Sequence, residues 1–471
     1  MLVVGGGVAG LRCAVGLADV GLQVVVVEAA PMLGGRAASW RDTTTGDTVD
    51  IGPHVLLSEY HNLLDWLQRL GSGHAVLWQH QPLITLKDGA RVLRMPSRRW
   101  TPPRHTLAFA PPALRSVSVA DLASNVGLGW RLMRMDEADA LALDGEDALA
   151  WLSRHGVSPR MRDWFWASAA MALLNVPLAH CSAASLARLA RLMLGRSGYG
   201  FGFPRIGLSE LFAPVAQHLI ERAGGHVLTS TRVRHLQWQQ SRWVGAQCED
   251  GLSIEAGALV LAVPPQALAS LWPRAAAPGW QLAAHRYTPS PYLSTYLWFD
   301  RLVDSERFWA RTWQPSDLNM DFYDLARIRQ PLRHGHSWIA ANSIHAVQAG
   351  DLSDDQIVQR TWQELTSFAP AAGRARLVHA RVHRIPMAIV AALPGFEASR
   401  PPQLTESDNV WLAGDWTRTG LPSSMESAAR AGALAAEGVA RLFGHSLQLA
   451  RPVPETYGIA GWLRRRTAAA A

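Results

Sequence analysis

The residues with the clearest chemistry form a glycine-rich stretch near the start of the chain. Residues 5–10 read G-G-G-V-A-G, which matches the pattern G-x-G-x-x-G. In that pattern the glycines allow a tight turn and let backbone N–H groups approach a pyrophosphate. Glu28 follows at the spacing at which an acid accepts hydrogen bonds from both hydroxyls of an adenosine ribose. These residues predict a site for a dinucleotide with a free ribose, which favours FAD or NAD over NADP.

Two apolar strands and a helix must position this site. Residues 2–4 have the composition of a buried strand, residues 11–20 that of a helix of small residues, and residues 24–27 that of a second buried strand. This order predicts a βαβ unit whose helix begins at the glycine turn and adds a partial positive charge there. The alternative is an ordinary glycine turn, which would not require an acid at the end of the second strand.

A second glycine pair follows, and an arginine comes directly after it. Residues 33–36 read L-G-G-R. The glycines permit close backbone approach, and the planar guanidinium of Arg36 can pair with a pyrophosphate. A surface arginine in a glycine loop is the alternative, which the neighbouring dinucleotide motif disfavours.

A distant segment near residue 415 has the character of a second half of the same site. Residues 409–416 have the composition of a buried strand that contains Gly414 and Asp415. The helix that follows carries small residues at helical spacing, and Ser423 with Glu426 predicts a capping box at its start. An exposed helix N-terminus stabilises negative charge, such as that at the N1–C2=O edge of a reduced flavin. Asp415 is placed to accept a hydrogen bond from a ribityl hydroxyl. A capped structural helix is the alternative.

These motifs resemble those of the FAD-dependent amine oxidase and phytoene desaturase superfamily. The L-G-G-R segment is similar to the one that follows the first βαβ unit in those flavoproteins. Residues 413–428, A-G-D-W-T-R-T-G-L-P-S-S-M-E-S-A, most resemble hydroxysqualene dehydroxylases and the zeta-carotene and phytoene desaturases. The resemblance extends over most of the chain, is specific at its two ends, and is diffuse between about residues 90 and 200. It implies FAD as the cofactor.

The resemblance also implies a fold class and a domain division. The expected fold is α/β, with a Rossmann-like FAD-binding domain of the GR2 type and an interleaved α+β substrate-binding domain. We expect the FAD-binding domain to comprise residues 1–54, 205–265 and 396–445, the substrate-binding domain residues 55–204 and 266–395, and a tail residues 446–471.

The residues and the resemblance together predict a cofactor site drawn from both ends of the chain. By the resemblance alone, Gly52, Pro53 and His54 lie near the flavin ring, and Val233 lies near the adenine. The full predicted set is Gly5, Gly7, Val8, Ala9, Gly10, Glu28, Ala29, Gly34, Gly35, Arg36, Gly52, Pro53, Val233, Gly414, Asp415, Ser424 and Met425.

The chemistry that the resemblance implies is hydride transfer between flavin N5 and an allylic carbon of a hydrophobic isoprenoid. In a desaturase the hydride leaves the substrate, whereas in a dehydroxylase a reduced flavin gives it to an allylic cation. His54 is the candidate catalytic residue. The alternative for His54 is a structural histidine that turns towards a backbone carbonyl.

Two other functions compete with this prediction. Amine oxidases of the superfamily use a lysine near flavin N5, but Lys87 is the only lysine and lies in a hairpin-like stretch at residues 86–89. An amine or amino-acid oxidase is therefore disfavoured. A non-catalytic flavoprotein or NAD-binding scaffold is the third possibility.

The composition excludes several other classes. The chain has 471 residues, of which 48% are hydrophobic and 18% charged, which suits a large core. Its three cysteines are far apart and match no metal pattern, so we expect no metal site, no disulfide framework and a reducing, cytoplasmic compartment. The net charge of +7 comes almost entirely from arginine and is scattered, so no nucleic-acid partner is expected.

Membrane contact is expected at a surface only. No apolar run reaches the ~20 residues of a membrane-spanning helix, and the first residues lack the basic region of a signal peptide. Basic residues with tryptophan hold proteins on anionic lipid surfaces, here on the inner face of the membrane. Such residues form two stretches, which comprise Arg91, Arg94, Arg98, Arg99, Trp100 and Arg104, and Trp462, Leu463, Arg464, Arg465 and Arg466. Solvated loops and a disordered tail are the alternative.

The middle of the chain is the expected substrate region. Its patterns predict helices around residues 58–71, 145–174 and 182–195, and a strand over residues 291–299. Residues 320–324 have turn and aromatic character. The 20 tryptophans fit an apolar pocket for a long hydrocarbon, although core packing explains most single tryptophans.

Overall fold

The computed structural model describes residues 1–272, 287–304, 306–329 and 335–463. The strands are β1 Leu2–Val4, β2 Val25–Val27, β3 Ser39–Arg41, β4 Thr48–Asp50, β5 Leu56–Leu57, β6 Val76–Gln79, β7 Ile84–Asp88, β8 Arg91–Met95, β9 Phe201–Pro204, β10 His226–Leu228, β11 Val233–Gln239, β12 Arg242–Cys248, β13 Ser253–Glu255, β14 Leu259–Leu261, β15 Pro289–Phe299, β16 Phe308–Arg311, β17 Asp321–Asp324, β18 Trp338–Ser343, β19 Leu377–Val390 and β20 Val410–Leu412.

The helices range in length from 3 to 18 residues. They are α1 Val8–Asp19, α2 His61–Arg69, α3 Ala110–Ala113, α4 Val119–Ala123, α5 Val126–Arg134, α6 Glu137–Leu141, α7 Ala148–Arg154, α8 Pro159–Met161, α9 Ala167–Leu174, α10 Ala183–Gly195, α11 Ala213–Arg222, α12 Pro265–Leu271, α13 Leu325–Ile328, α14 Asp354–Phe368, α15 Phe396–Ser399, α16 Met425–Leu442 and α17 Gly458–Leu463.

A five-stranded parallel sheet contains the predicted βαβ unit. Its strand order is β10-β2-β1-β14-β20, and every neighbouring pair is parallel. The apolar strands are buried because helices such as α1 and α16 cover the sheet. This architecture confirms the α/β, Rossmann-like fold class. The first strand is as predicted, whereas α1 begins at Val8, three residues earlier than predicted, because the glycine turn leads directly into it.

Glycine allows α1 and α16 to approach each other closely. A Cβ at Gly432 of α16 would overlap the carbonyl oxygen of Ala9 in α1. A Cβ at Gly10 would overlap the carbonyl oxygen of Gly5 in the preceding turn. These backbone contacts bring the glycine turn and the start of α16 to the same end of the parallel sheet.

A second large sheet is mixed and has seven strands, in the order β19-β15-β18-β17-β16-β7-β8. One face is covered by α14, since Leu297, Phe322 and Ile339 pack with Leu365 and Phe368 of that helix. The predicted strand over residues 291–299 is confirmed as part of β15. The prediction of a turn at residues 320–324 is wrong, because β17 pairs with both β16 and β18.

The predicted long helix over residues 145–174 is also wrong. The segment forms α7, the single turn α8, a π-helical turn at Arg162–Trp166, and α9. Gly156 adopts a left-handed φ of +74°, and the Ser158 side chain caps the new turn by accepting a hydrogen bond from the N–H of Met161. These residues end one helix and begin another. The helices predicted around residues 58–71 and 182–195 are confirmed as α2 and α10.

Candidate functional site

The glycine turn leaves the N-terminus of α1 open. Gly7 precedes α1 and provides no side-chain cap. A Cβ built on Gly7 would meet no atom closer than 3.9 Å, so one side of the turn is accessible. Because the first N–H groups of a helix lack partners within it, the start of α1 at Val8 and Ala9 suits a phosphate group. The residues present therefore fit the pyrophosphate of a dinucleotide.

The L-G-G-R loop lies directly on this turn. The N–H of Gly34 donates to the carbonyl oxygen of Gly6 at 2.9 Å. Gly35 has a left-handed φ of +55°, and a Cβ there would lie 3.3 Å from the Cα of Gly7. Close approach of the L-G-G-R loop to the turn thus favours glycine at position 35.

Glu28 is fixed at the end of β2 by backbone donors. Its Oε2 accepts from the N–H of Gly6 at 2.7 Å, and its Oε1 accepts from the N–H of Ala30 at 2.8 Å. The N–H of Thr231 donates to the Glu28 carbonyl oxygen at 2.9 Å, which brings the chain that leads to Val233 beside this residue. The structure therefore groups Glu28, Ala29 and Val233 at one edge of the predicted site.

Arg36 and Asp415 join the two halves of the predicted site. Nη2 of Arg36 lies 2.5 Å from Oδ1 of Asp415, and Nη1 donates to the carbonyl oxygen of Ala388 at 3.1 Å. Asp415 is buried, whereas 32% of the Arg36 side chain is exposed. Residues far apart in the sequence thus meet in one ion pair, beside Gly414 at the end of β20.

The start of α16 differs from the predicted capping box. Ser424, not Ser423, is the N-cap residue, and its side chain accepts from the N–H of Ser427 at 3.2 Å. Glu426 instead turns away and accepts from the N–H groups of Asn62 at 2.9 Å and Leu63 at 2.8 Å. It therefore caps α2 from another helix, which is possible because its backbone lies in the first turn of α16.

This capping carboxylate is buried, which affects its acidity. Burial raises the pKa of Glu426, and the hydrogen bonds from Asn62 and Leu63 oppose that shift. The N-terminus of α16, at Ser424 and Met425, is left without a carboxylate of its own and remains suited to a negatively charged group.

Residues 52–54 lie against the seven-stranded sheet. A Cβ at Gly52 would lie 2.6 Å from Oγ of Ser294, so only glycine fits there. The carbonyl oxygen of Pro53 accepts from Nδ2 of Asn342 at 3.2 Å. Nδ1 of His54 lies 2.8 Å from the Gly52 carbonyl oxygen, which is the contact expected of the structural alternative for this histidine. Burial lowers the pKa of His54, so the imidazole is neutral at neutral pH.

A set of polar side chains on this sheet escaped the sequence-based prediction. Ser294 on β15 is opposite Asn342 on β18, which is in turn opposite Asp321 on β17, and we call these three residues the polar row. Directly opposed residues place their side chains on the same face. The available signal was the alternation of polar residues with large apolar ones in β15 and β17, but it did not indicate which strands are neighbours.

Tyrosines extend the polar row. The hydroxyl of Tyr323 donates to Oδ2 of Asp321 at 3.2 Å, and Tyr292 donates its hydroxyl to Oδ1 of Asn175. His54, Tyr292 and Asp321 are only half-buried, yet burial is the main cause of the pKa shift of each. The three side chains are thus partly accessible beside the contact of residues 52–54 with Ser294 and Asn342, and we call the region that they border the internal space.

Lys87, the only lysine, lies elsewhere. Its Nζ donates to the carbonyl oxygen of Phe368 at 2.8 Å and lies 5.3 Å from the centre of the Phe368 ring. Phe368 belongs to α14, which covers the other face of the seven-stranded sheet. Within the described part of the chain, no group of histidine, cysteine and acidic side chains is arranged to hold a metal ion.

A parallel sheet with an open glycine turn, an acid at the end of β2 and a converging distant helix defines a dinucleotide-binding oxidoreductase. The chain belongs to the family of flavin-containing amine oxidoreductases, whose model matches residues 8–440. It is therefore a FAD-dependent oxidoreductase of the amine oxidase and carotenoid desaturase family.

Relatives and solved structures agree with this membership. The chain is 25% identical over 464 residues to 15-cis-phytoene desaturase of Solanum lycopersicum, covering 93% of this chain and 77% of the relative. It is 27% identical over 452 residues to hydroxysqualene dehydroxylase of Rhodopseudomonas palustris, covering 92% and 97%. A structure of putrescine oxidase bound to putrescine has a TM-score of 0.69 at 17% identity and covers 94% and 98%, which shows the shared fold.

Proposed function

We propose that this chain transfers a hydride between flavin N5 and an allylic carbon of a hydrophobic isoprenoid, as a desaturase or a dehydroxylase. Relatives named for phytoene and hydroxysqualene match more than nine-tenths of the chain. At about 25% identity they support the class of substrate rather than one compound.

The position of Lys87 favours an isoprenoid over an amine. The lysine expected of an amine oxidase must lie beside the flavin ring, whereas Lys87 contacts Phe368 across the sheet from residues 52–54. Since there is no second lysine in the sequence, no other residue supplies that group.

The apolar surroundings of the internal space support a hydrocarbon chain. Ile385 lies within 3.7 Å of the position of a Cβ on Gly52, and Met171, Met320 and Ile344 cluster beside Tyr292. A small cleft is lined by residues of α9, β19, α15 and the loop before α16, among them Leu174, Ile389, Phe396 and Pro422. Apolar walls with few polar groups are typical of sites for hydrophobic ligands.

The chain's own residues then have defined tasks. We assign the pyrophosphate to the backbone of residues 5–10 with Arg36, the adenosine ribose to Glu28, and the flavin ring to residues 52–54 and the start of α16. When bound, the flavin supplies the hydride chemistry. The protein orients the substrate against it, excludes water through the apolar wall, and holds the neutral ring of His54 in place by the hydrogen bond at Nδ1.

The expected division into two domains belongs to this proposal. The parallel sheet takes its strands from residues 2–27, 226–261 and 410–412, and the seven-stranded sheet takes its strands from residues 84–95 and 289–390. We propose that the first unit holds FAD and the second forms the substrate wall.

Anaerobic turnover tests the proposed substrate class. The purified protein is mixed in detergent either with oxidised FAD and 15-cis-phytoene or with reduced FAD and hydroxysqualene, and products are separated by chromatography. We expect conversion of an isoprenoid and, in a separate aerobic assay, no oxygen consumption with putrescine or a primary aromatic amine. Rapid amine-dependent oxygen consumption without isoprenoid conversion would contradict the proposal.

We also propose that a helical surface holds the protein on an anionic membrane, at its inner face. This helical surface comprises Trp100, Val126, Trp130, Ile459 and Trp462, all at least 47% exposed. The N–H of Ile459 donates to the carbonyl oxygen of Pro102 at 3.1 Å, and α17 packs on α5, so distant parts of the sequence form one surface.

Exposed arginines surround the helical surface and match the charge of anionic lipid. They are Arg98, Arg99, Arg104, Arg131 and Arg134. Exposed tryptophan beside cationic side chains is typical of interfacial binding. No helix in the described residues is long and apolar enough to cross a membrane. The predicted residues Arg464, Arg465 and Arg466 lie outside the described residues.

Vesicle sedimentation tests this surface. We expect binding to vesicles of phosphatidylcholine with phosphatidylglycerol, and weaker binding to phosphatidylcholine alone. Replacing Trp130 and Trp462 together by serine should weaken binding on the order of 10-fold because buried apolar area is lost. Val347→Ser is the matched control, since Val347 is 62% exposed but lies outside the helical surface. Equal loss in the control would contradict the proposal.

A further inference from the structure

The polar row connects the predicted flavin side of the internal space to a single carboxyl group. Asn342 donates to the Pro53 carbonyl oxygen at 3.2 Å and accepts from Oγ of Ser294 at 3.0 Å. Asp321 is its neighbour on the next strand. Because these side chains share one face of the sheet, Asp321 lies on the same wall as the contact to residues 52–54.

Asp321 is incompletely satisfied. Its Oδ2 accepts the hydrogen bond from Tyr323, but its Oδ1 is buried without a hydrogen-bond partner among the described residues. It also forms no ion pair in that part of the chain. A buried polar atom without a partner destabilises the folded state, so a purely structural acid at this position would weaken the fold.

Asp324, on the same strand, shows what a structural acid looks like here. Its Oδ1 accepts from the N–H of Ala326 at 3.2 Å and caps α13. Its Oδ2 accepts from Oγ of Ser337 at 3.0 Å and lies 3.4 Å from Arg327. Both oxygens of Asp324 are thus used within the protein, whereas one oxygen of Asp321 is not.

The groups around Asp321 determine its protonation. Burial raises the pKa of Asp321 to about 7, while the hydrogen bond from Tyr323 and the nearby amide groups of Asn342 oppose that shift. Tyr292 also faces it, and the charge of Asp321 raises the pKa of that phenol. Near neutral pH Asp321 can therefore carry a proton and donate it.

We infer that Asp321 binds and protonates the hydroxyl group of an allylic isoprenoid alcohol, so that the substrate is an alcohol rather than a pure hydrocarbon. This inference rests on the proposed function and narrows it to dehydroxylation. A hydrocarbon offers nothing to the free oxygen of Asp321. The hydroxyl group of an alcohol can form a hydrogen bond with this oxygen, which places the C–O bond on the side of the internal space where we propose that the flavin binds.

The reaction balances with a reduced flavin as the two-electron donor. The substrate C–O bond breaks with its electron pair on oxygen, and that oxygen takes the proton from Asp321 and leaves as water. The allylic carbon takes a hydride from the reduced flavin, which becomes oxidised. Asp321 is left as a carboxylate and takes a proton from solvent, so one alcohol, one hydride and one proton give one alkene product and one water.

Turnover of matched variants tests this inference. The full-length protein with reduced FAD is given hydroxysqualene, and Asp321→Asn is compared with Asp324→Asn. We expect Asp321→Asn to keep KM within about 3-fold and to lose about 100-fold or more in kcat, which is the range of general acid catalysis. Asp324→Asn should keep kcat within about 3-fold while its Tm falls, because the neutral amide loses the ion pair with Arg327.

The pH profile separates an acid from a structural group. In the unsubstituted protein kcat should fall as pH rises through about 7, since the proton of Asp321 is lost. Asp321→Asn should lack this limb. Tyr323→Phe removes a hydrogen bond that favours the carboxylate, so the limb should move to higher pH. An unchanged profile in Asp321→Asn would overturn the inference.

An infrared titration provides a readout that does not depend on turnover. A protonated carboxyl band that disappears near pH 7 should be missing in Asp321→Asn, and the band that titrates near pH 6 should be missing in Asp324→Asn. Absence of the first band from the unsubstituted protein would overturn the assigned acid.

Failure of the inference differs from failure of the proposed function. Conversion of 15-cis-phytoene without conversion of hydroxysqualene would overturn the inference and leave the isoprenoid function standing. Conversion of an amine but of neither isoprenoid would overturn both.

Discussion

The two sheets contact their proposed ligands in different ways. In the parallel sheet, the contacts come from backbone at Gly7, from the start of α1, and from glycines that let the second loop approach. In the seven-stranded sheet, they come from the side chains of Ser294, Asn342 and Asp321, each on a different strand. The first site is formed mainly by residues close together in the sequence. The second is formed by residues that become neighbours only through the pairing register of three strands.

The difference indicates where this fold tolerates change. A backbone site depends on the absence of side chains, so nearly any substitution at its glycines is unfavourable. A side-chain site on a rigid sheet can be altered one residue at a time while the sheet stays intact. We therefore expect cofactor binding to depend on the first region and the choice of substrate on the second.

The largest expected effect comes from a substitution in the glycine turn at residues 5–10. Gly10→Ala places a Cβ against the carbonyl oxygen of Gly5, and neither backbone segment can move without opening the turn. We expect purified protein without flavin absorbance and a loss of about 3 kcal/mol in the free energy of unfolding. The measurements are the visible spectrum and thermal unfolding.

Gly129→Ala is the control for this substitution. Gly129 lies in α5, and a Cβ there meets no atom within 4 Å. Flavin content should be unchanged, and stability should rise by about 0.5–1 kcal/mol because alanine favours a helix. Retained flavin in Gly10→Ala would mean that the turn does not hold the cofactor.

The next effect concerns the ion pair that joins the two halves of the cofactor site. Arg36→Met leaves the buried carboxylate of Asp415 without its partner. We expect FAD to bind about 10- to 100-fold more weakly, which corresponds to about 1.4–2.8 kcal/mol. Fluorescence titration of apoprotein gives the Kd.

A double-mutant cycle with Asp415→Asn sharpens the result. If the two side chains act as a unit, the double substitution should cost less than the sum of the single ones. Strict additivity, or unchanged Kd in Arg36→Met, would contradict a shared role in FAD binding.

A smaller effect is expected where α16 caps α2. The carboxylate of Glu426 has two acceptor oxygens, one for the N–H of Asn62 and one for the N–H of Leu63. In Glu426→Gln only one acceptor oxygen remains, so the N–H of Leu63 loses its partner. We expect the free energy of unfolding to fall by about 1–2 kcal/mol, as for loss of a helix cap. Glu221→Gln, at an exposed position of α11, should change it by less than about 0.5 kcal/mol. Equal changes in the two variants would argue against the capping role.

The smallest expected effect is on the pH dependence of stability, through the titration of Asp321 in the proposed substrate wall. The pKa of Asp321 is about 7 in the folded protein and 3.8 in the reference state, so the folded state binds the extra proton between these values. Its contribution to stability is present at low pH and is lost as pH rises through about 7. The stability of Asp321→Asn should not show this loss, because asparagine does not titrate.

The Tm of Asp321→Asn relative to the unsubstituted protein should therefore rise between pH 5 and pH 8, by an amount on the order of 1 kcal/mol in stability. Differential scanning calorimetry at both pH values measures it. A difference in Tm that does not vary with pH would show that Asp321 does not titrate in this range.

The same contrast explains which parts were predictable from sequence. The strand Leu2–Val4, the glycine turn and the L-G-G-R loop are local patterns, and the structure places them together as expected. The strand and helix around Asp415 were also predicted from local patterns, and the N-terminal motif and the family resemblance connected them with the same site. The polar row could not be found this way, because β15, β18 and β17 are neighbours only in the folded sheet.

The remaining errors have local causes. The sequence around the start of α16 offers two serines, each with a suitable residue three positions later, and packing of Glu426 on α2 selects Ser424 as the cap. The break in the predicted helix over residues 145–174 was visible as Gly156 and Pro159, but the apolar pattern continues on both sides of it.

The order of strands in the parallel sheet has a consequence for synthesis on the ribosome. β14 lies between β1, made first, and β20, at Val410–Leu412. Until that last strand emerges, one side of β14 is an unpaired, apolar edge, which is prone to aggregation. Asp415 and α16 emerge later still. We therefore expect FAD to be captured only after release of nearly the whole chain, and scarcity of FAD in the cell to lower the yield of folded protein.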